Sequence, residues 1–164
     1  MKKSQKTKVK PEKDSELLAN DSGTQDSQVS SHFNNSLSAE DLNVIFEYAP
    51  DAYYLFDLMG YFVDGNLMAE KLSGYKRDEL IGKSFLKLTL LSQGGIIKAA
   101  KLLYNNARGK PTGPTVFVFN RKDGSKIELE VRTHPVKIGG RKLVLGIARD
   151  ISARKKIELE IIKL

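Results

Sequence analysis

The chain has 164 residues, with 27 Lys and Arg against 20 Asp and Glu, a net charge of +7 and no cysteine. That length suits one domain with flanking segments, and the lack of cysteine rules out a disulfide framework, a thiolate metal site and a cysteine nucleophile. The excess charge is spread along the chain, six lysines against five acids in residues 1–36 and 21 basic against 15 acidic residues after them, so it reads as solvated surface charge and no specific nucleic-acid partner is expected.

No apolar run approaches the roughly 20 residues of a membrane helix, and the lysine-rich start lacks the apolar region of a secretory signal. A soluble, cytoplasmic protein is expected. Residues 1–36 are dominated by Lys, Ser, Asp, Asn and Gln, too polar to offset the entropy of ordering, and are expected to form a disordered tail.

Ser38 and Asp41 form a capping pair that opens a helix over residues 37–50, with Leu42, Ile45, Phe46 and Ala49 on one stripe until Pro50 stops it. The strand AYYLFD then turns through Asp57 and Gly60 into YFVDG, a hairpin. Asn66 caps a short helix through Leu67 to Ser73 that Gly74 ends. KRDELIG makes another short turn closed by Gly82, and Ser84 starts a third around Phe85 to Leu88. A longer helix follows from about Gly95 to Ala107, with Ile96, Ala100, Leu103, Tyr104 and Ala107 on one face, stopped by Gly109 and Pro111. The period then changes from helical to strand-like. TVFVFNR, SKIELEVRTHPV and RKLVLGIARD are joined by Asp123-Gly124 and Gly139-Gly140, both hairpin signals. In the middle strand Ile127, Leu129, Val131 and Thr133 share one face, and Glu128, Glu130, Arg132 and His134 the other. Two hairpins around a helical segment give an α+β module, a five-stranded antiparallel sheet with short helices on one face and amphipathic helices at both ends.

Four segments in this order, the hairpin and capped helix of Ala49–Gly82, the hairpin Phe119–Val136, the last strand and its Ala148–Ser152 ending, resemble a PAS domain, the S-box sensory module of bacterial and archaeal sensor histidine kinases. The resemblance implies a core over residues 51–152, a signalling helix over 153–164, and a sheet in which the first hairpin sits centrally beside the last strand. It also implies a sensing and dimerising role rather than catalysis.

Members of this family hold haem, flavins, metabolite anions or nothing. The long helix lacks the axial histidine that haem-binding members take from it, and no thiol is present for a flavin adduct. A noncovalently held oxidised flavin, or no cofactor at all, stays open. Of the two histidines, His32 lies in the tail and His134 on the polar side of its strand, too far apart for a closed metal site. Glu128 and Glu130 read as a solvated strand face interleaved with Arg132, and Glu158 and Glu160 as ordinary helix-surface acids, so no catalytic constellation is present. A cavity between sheet and helices would be lined by Tyr54, Phe85, Ile97, Leu103, Ile127, Leu129, Val131 and Leu145, with Thr133 and the tyrosines placed to orient a small ligand; a packed, empty core is the alternative.

Asp150-Ile151-Ser152 is similar to the Asp-Ile-Thr type motif through which these domains pass into a signalling helix, with Asp150 placed to cap the helix or to pair with a basic residue and Ser152 as a second cap. Ala153, Ile157, Ile161 and Leu164 then repeat at coiled-coil spacing. With Leu42, Ile45 and Phe46 they form the expected dimer or docking surface, or they cover the chain's own sheet. The leading reading is a sensory module that forms a homodimer, binds a small molecule and passes a signal to an output domain or partner such as a histidine kinase. A ligand-free interaction adaptor and a polyanion-binding protein acting through Lys2, Lys3, Lys6, Lys8 and Lys10 are the alternatives.

Overall fold

Helix α1, Ala39–Glu47, begins where the sequence places a cap: Ser38 Oγ accepts from the Asp41 N–H at 3.1 Å, and Asp41 Oδ2 accepts from the Ser38 N–H at 2.8 Å. The computed structural model describes residues 36–164. All but the last residue of the expected disordered tail, with His32 and the lysines of residues 2–10, lies outside them.

Strands β1, Ala52–Asp57, and β2, Phe62–Gly65, form the first hairpin. Asp57 organises the turn, its Oδ1 accepting from the Met59 and Tyr61 N–H groups at 2.9 Å and its carbonyl from Gly60 N–H at 3.1 Å. Gly60 sits at φ 85°, and a Cβ built there would stand 2.7 Å from Phe85 Cε1, so the position requires glycine twice over. A bulge falls in the pairing between Leu55 and Phe56.

Asn66 is fully buried and ties three segments together. Its Oδ1 caps helix α2, Leu67–Ser73, at Ala69 N–H (3.0 Å) and also accepts from Tyr53 N–H (2.9 Å), while Nδ2 donates to the Phe46 and Asp51 carbonyls at 3.0 Å. Gly74 ends α2, and α3, Arg77–Leu80, follows. The segment from Ser84 makes a single turn rather than a helix, with Lys87 and Leu88 N–H donating to the Ser84 carbonyl at 3.0 and 3.1 Å. Helix α4, Gln93–Ala107, starts earlier than its periodicity predicts because Ser92 caps it.

Strands β3, Thr112–Asn120, β4, Lys126–Ile138, and β5, Arg141–Asp150, form the meander, and helix α5, Ser152–Ile162, leaves its end. The order is β2-β1-β5-β4-β3 with every neighbouring pair antiparallel. The first hairpin thus lies beside the last strand through β1, but β5 holds the centre and β2 is an edge. One sheet face packs under α2 and α4, and Ile127, Leu129, Val131 and Thr133 point into that core at 0–9% exposure, as the alternation requires. Full burial of Leu129 alone stabilises by about 2 kcal/mol.

Candidate ligand cavity and helix junction

Between the sheet and α4 lies a cavity of about 80 Å³. Its floor is the inner face of the sheet, where the small Gly146 and Ala148 of β5 leave room for the aromatic side chains of β1. A Cβ on Gly146 would stand 3.3 Å from Phe56 Cε2. Phe56 meets Phe62 and Phe85 with ring centroids 4.6 and 5.5 Å apart, and Tyr54 meets Phe62 at 5.9 Å. Tilted and edge-on pairs like these are favoured over face-to-face stacking and add to the stability of the wall. Phe117 and Phe119 of β3 close one side, and Ala99, Leu102 and Leu103 of α4 form the roof.

Of the residues the sequence pointed to, Tyr54, Phe85, Leu103, Val131 and Thr133 line this cavity, whereas Ile127 and Leu129 are buried core residues outside its wall. Ile97 and Leu145 are corrections. Ile97 is 60% exposed on the outer side of α4, beside Ala100, Lys101 and Tyr104, because the helix buries the phase Ile96, Ala99, Leu102 and Leu103. Leu145 alternates with the lining residues Val144 and Gly146 and so lies on the other face of the sheet.

The polar groups at the cavity are few. Burial pushes the Tyr54 hydroxyl pKa well above its ordinary value, and that hydroxyl donates to the Ala69 carbonyl at 3.2 Å. Thr133 Oγ1 accepts from Asn106 Nδ2 and shares a hydrogen bond with Thr112 Oγ1. Asn106, which is not among the residues lining the cavity, is 2% exposed, and its Nδ2 also donates to the Leu102 carbonyl at 2.8 Å, while its Oδ1 has no partner among the described residues. Periodicity alone does not single out Asn106. The available signal was a polar residue in the same helical phase as Ala99 and Leu102. His134 is exposed, and no group of three or more His, Asp or Glu able to hold a metal occurs among the described residues.

The second constellation is the start of α5. Ile151 is 1% exposed and its N–H donates to the Glu128 carbonyl at 3.2 Å, which pins the chain to β4. Asp150 Oδ1 accepts from Ser152 N–H at 2.8 Å. Ser152 itself is the first helical residue and supplies no cap. Glu128 and Glu130 are not merely solvated: Glu128 accepts from Lys155 Nζ at 2.8 Å and Glu130 from Arg154 Nη2 at 3.1 Å. Arg149 adds a two-pronged pair to Asp51 at 3.0 and 2.8 Å, which raises its own pKa further. After this first turn α5 leaves the sheet. Ile157, Ile161 and Leu164 are each more than half exposed, so the helix does not lay its stripe on its own sheet. In α1, Leu42 and Ile45 are likewise 54% and 56% exposed, whereas Phe46 packs on Tyr53 with centroids 6.0 Å apart.

Among curated proteins, the diguanylate cyclase DgcM of Escherichia coli K12 is 28% identical over 99 residues, which are 60% of this chain and 23% of that protein; the chain therefore spans about a quarter of this relative. Among solved structures, the PAS domain of an HTR-like protein from Haloarcula marismortui is similar at 21% identity and a TM-score of 0.59, covering 77% of this chain and 98% of that one. A domain of a sensory box sensor histidine kinase/response regulator from Geobacter sulfurreducens is similar at 25% identity and a TM-score of 0.54, covering 78% and 100%. With the model of the PAS domain matching residues 50–153, an antiparallel sheet in the order β2-β1-β5-β4-β3 and helices over one face, this chain belongs to the PAS domain family.

Proposed function

We propose that this PAS domain is a cytoplasmic sensory module that dimerises through α1 and α5 and couples the state of its cavity to the setting of α5. The observation that carries this reading is that α5 is held only at its root, by Ile151 and the Glu128 and Glu130 ion pairs, while its apolar stripe stays uncovered. A helix of 11 residues is marginal alone in water and calls for a partner surface. The apolar faces of α1 and α5 supply one, and a second copy of the chain offers the same faces in return.

β4 supports the coupling, because it alternates the cavity residues Val131 and Thr133 with the helix-holding Glu128 and Glu130. Ligand binding shifts α5 between two settings only to the extent that the two settings differ in affinity for the ligand. The output is a further domain or a separate signalling protein, of which a histidine kinase or a cyclase is the kind borne by the relatives. Sedimentation of the full chain tests the dimer. Wild type is expected to be dimeric at micromolar concentration and the Ile157→Glu, Ile161→Glu variant monomeric with an unchanged core. A wild-type monomer at high micromolar concentration would refute the reading.

A further inference from the structure

The excess of positive charge is even between tail and core, but within the core the two signs are separated. Residues 37–70 hold seven Asp and Glu and no Lys or Arg, whereas residues 80–122 hold eight Lys and Arg and no Asp or Glu. Each stretch carries a helix with an uncovered apolar stripe. In α1 and its C-cap, Val44, Ile45 and Tyr48 are each more than half exposed, and the charged residues Glu40, Asp41 and Glu47 are all acidic. On α4, Ile97, Ala100, Lys101, Tyr104 and Arg108 recur at i, i+3, i+4, i+7 and i+11 on the side away from the cavity, with Ile97 and Tyr104 again more than half exposed. Arg108 lies 5.6 Å over the Tyr104 ring and donates to its hydroxyl at 3.0 Å. Neither Lys101 nor Arg108 forms an ion pair among the described residues.

Charge decides which surfaces of two copies can meet. Two α1 helices face to face would set acid against acid with no base on either, and two α4 helices would set base against base, both unfavourable. Only α5, with Arg154, Lys155 and Lys156 ahead of Glu158 and Glu160, carries both signs and tolerates its own mate. Nor are the sheet edges open to a second copy. At β2, Phe62 N–H donates to the Lys83 carbonyl at 2.9 Å and the Phe62 carbonyl accepts from Gly82 N–H at 2.8 Å; at β3, Asn120 N–H donates to the Leu90 carbonyl at 2.9 Å and Lys98 Nζ to the Val116 carbonyl at 3.3 Å. Within its own chain α1 is already set, its Phe46 carbonyl held by Asn66 and its Glu47 by Arg77, and in that setting the stripe stays bare. We infer that α1 of each copy docks on the outer face of α4 of a second copy, Val44, Ile45 and Tyr48 packing on Ile97 and Tyr104 while the acids of α1 face Lys101 and Arg108. A two-fold axis makes this contact twice, once in each direction. The docking rests on the dimeric reading of the chain and deepens it, because it names the surface that receives α1.

The full chain tests this directly, since it has no cysteine of its own and an introduced thiol reports a single position. Ile45→Cys chains mixed with Ile97→Cys chains and oxidised are expected to join to each other faster than either joins to itself. Tyr104→Cys, seven residues along the same stripe, covers the opposite helix direction. All three sites are exposed, so the variants keep the core intact. By sedimentation, Lys101→Glu, Arg108→Glu should weaken the dimer about tenfold, and Glu40→Lys added to that chain should recover part of the loss. Ile45→Cys chains that join only to one another would place α1 against its own mate and overturn the docking. A wild-type dimer that gives no mixed product with either α4 cysteine, or that ignores the charge reversal, overturns it too and leaves the dimeric reading standing. A wild-type monomer overturns that reading, and the docking with it.

Discussion

Asn66 concentrates more structural duty than any other side chain described, since its amide caps the start of α2, joins β1 and holds the end of α1 through four hydrogen bonds. Asn66→Ala removes a helix cap, worth about 1 kcal/mol, and leaves buried backbone groups without partners at about 1–3 kcal/mol more. A loss of about 3 kcal/mol in urea denaturation is expected; a loss below that of a cap alone would show that water replaces the amide. Gly60→Ala forces a left-handed alanine and presses Phe85, and should cost about 2 kcal/mol. Phe85→Leu in the same chain should recover part of that loss, because the two positions share one contact. Tyr54 gives a pH dependence. Its folded pKa is raised above the ordinary 10.0, so the folded state holds the proton more tightly than the unfolded one. Its stabilisation is complete below pH 10.0 and declines as pH rises past that value. Melting temperatures recorded across this range should fall for wild type and fall less steeply for Tyr54→Phe.

At the scale of elements, α5 is fastened by exposed ion pairs, each worth about 0.5 kcal/mol. Glu128→Gln, Glu130→Gln should therefore speed hydrogen exchange along α5 while leaving the unfolding midpoint of the core nearly unchanged, and added salt should mimic the double variant. An equal drop in core stability would mean that the pairs brace the sheet instead. The same scale shows what sequence could reveal. Turns and caps were legible because they depend on one or two residues with a local reason: Ser38 with Asp41, Asn66, and Gly139-Gly140, both at positive φ. β4 was legible because only one of its faces is apolar. α4 and β5 were not, since each is apolar on two sides. In α4 both Ile96 and Ile97 head plausible stripes, and in β5 Leu143, Val144, Leu145 and Ile147 blur the alternation. The tertiary fold chose the phase, and in β5 it placed the small Gly146 and Ala148 inward, where sequence reasoning sought the large Leu145.

For the molecule as a whole, the strand order leaves β5 at the centre, hydrogen-bonded on both sides to β1 and β4. Amides of β5 should exchange slowest and report global unfolding, whereas those of α5 beyond Lys155 should exchange near the rate of free peptide once the chain is monomeric, as in Ile157→Glu, Ile161→Glu. Protection of α5 that persists in that variant would show that the helix finds its partner within its own chain.

The alternation along β4 has an evolutionary corollary. Residues that face inward and residues that grip α5 occupy odd and even positions of one strand, so either set is open to substitution while the other is conserved. If the domain senses as proposed, a lineage could acquire taste for a new chemical and keep its wiring, or swap its wiring and keep its taste, and a β4 chimera between two such domains should separate the two traits by parity alone.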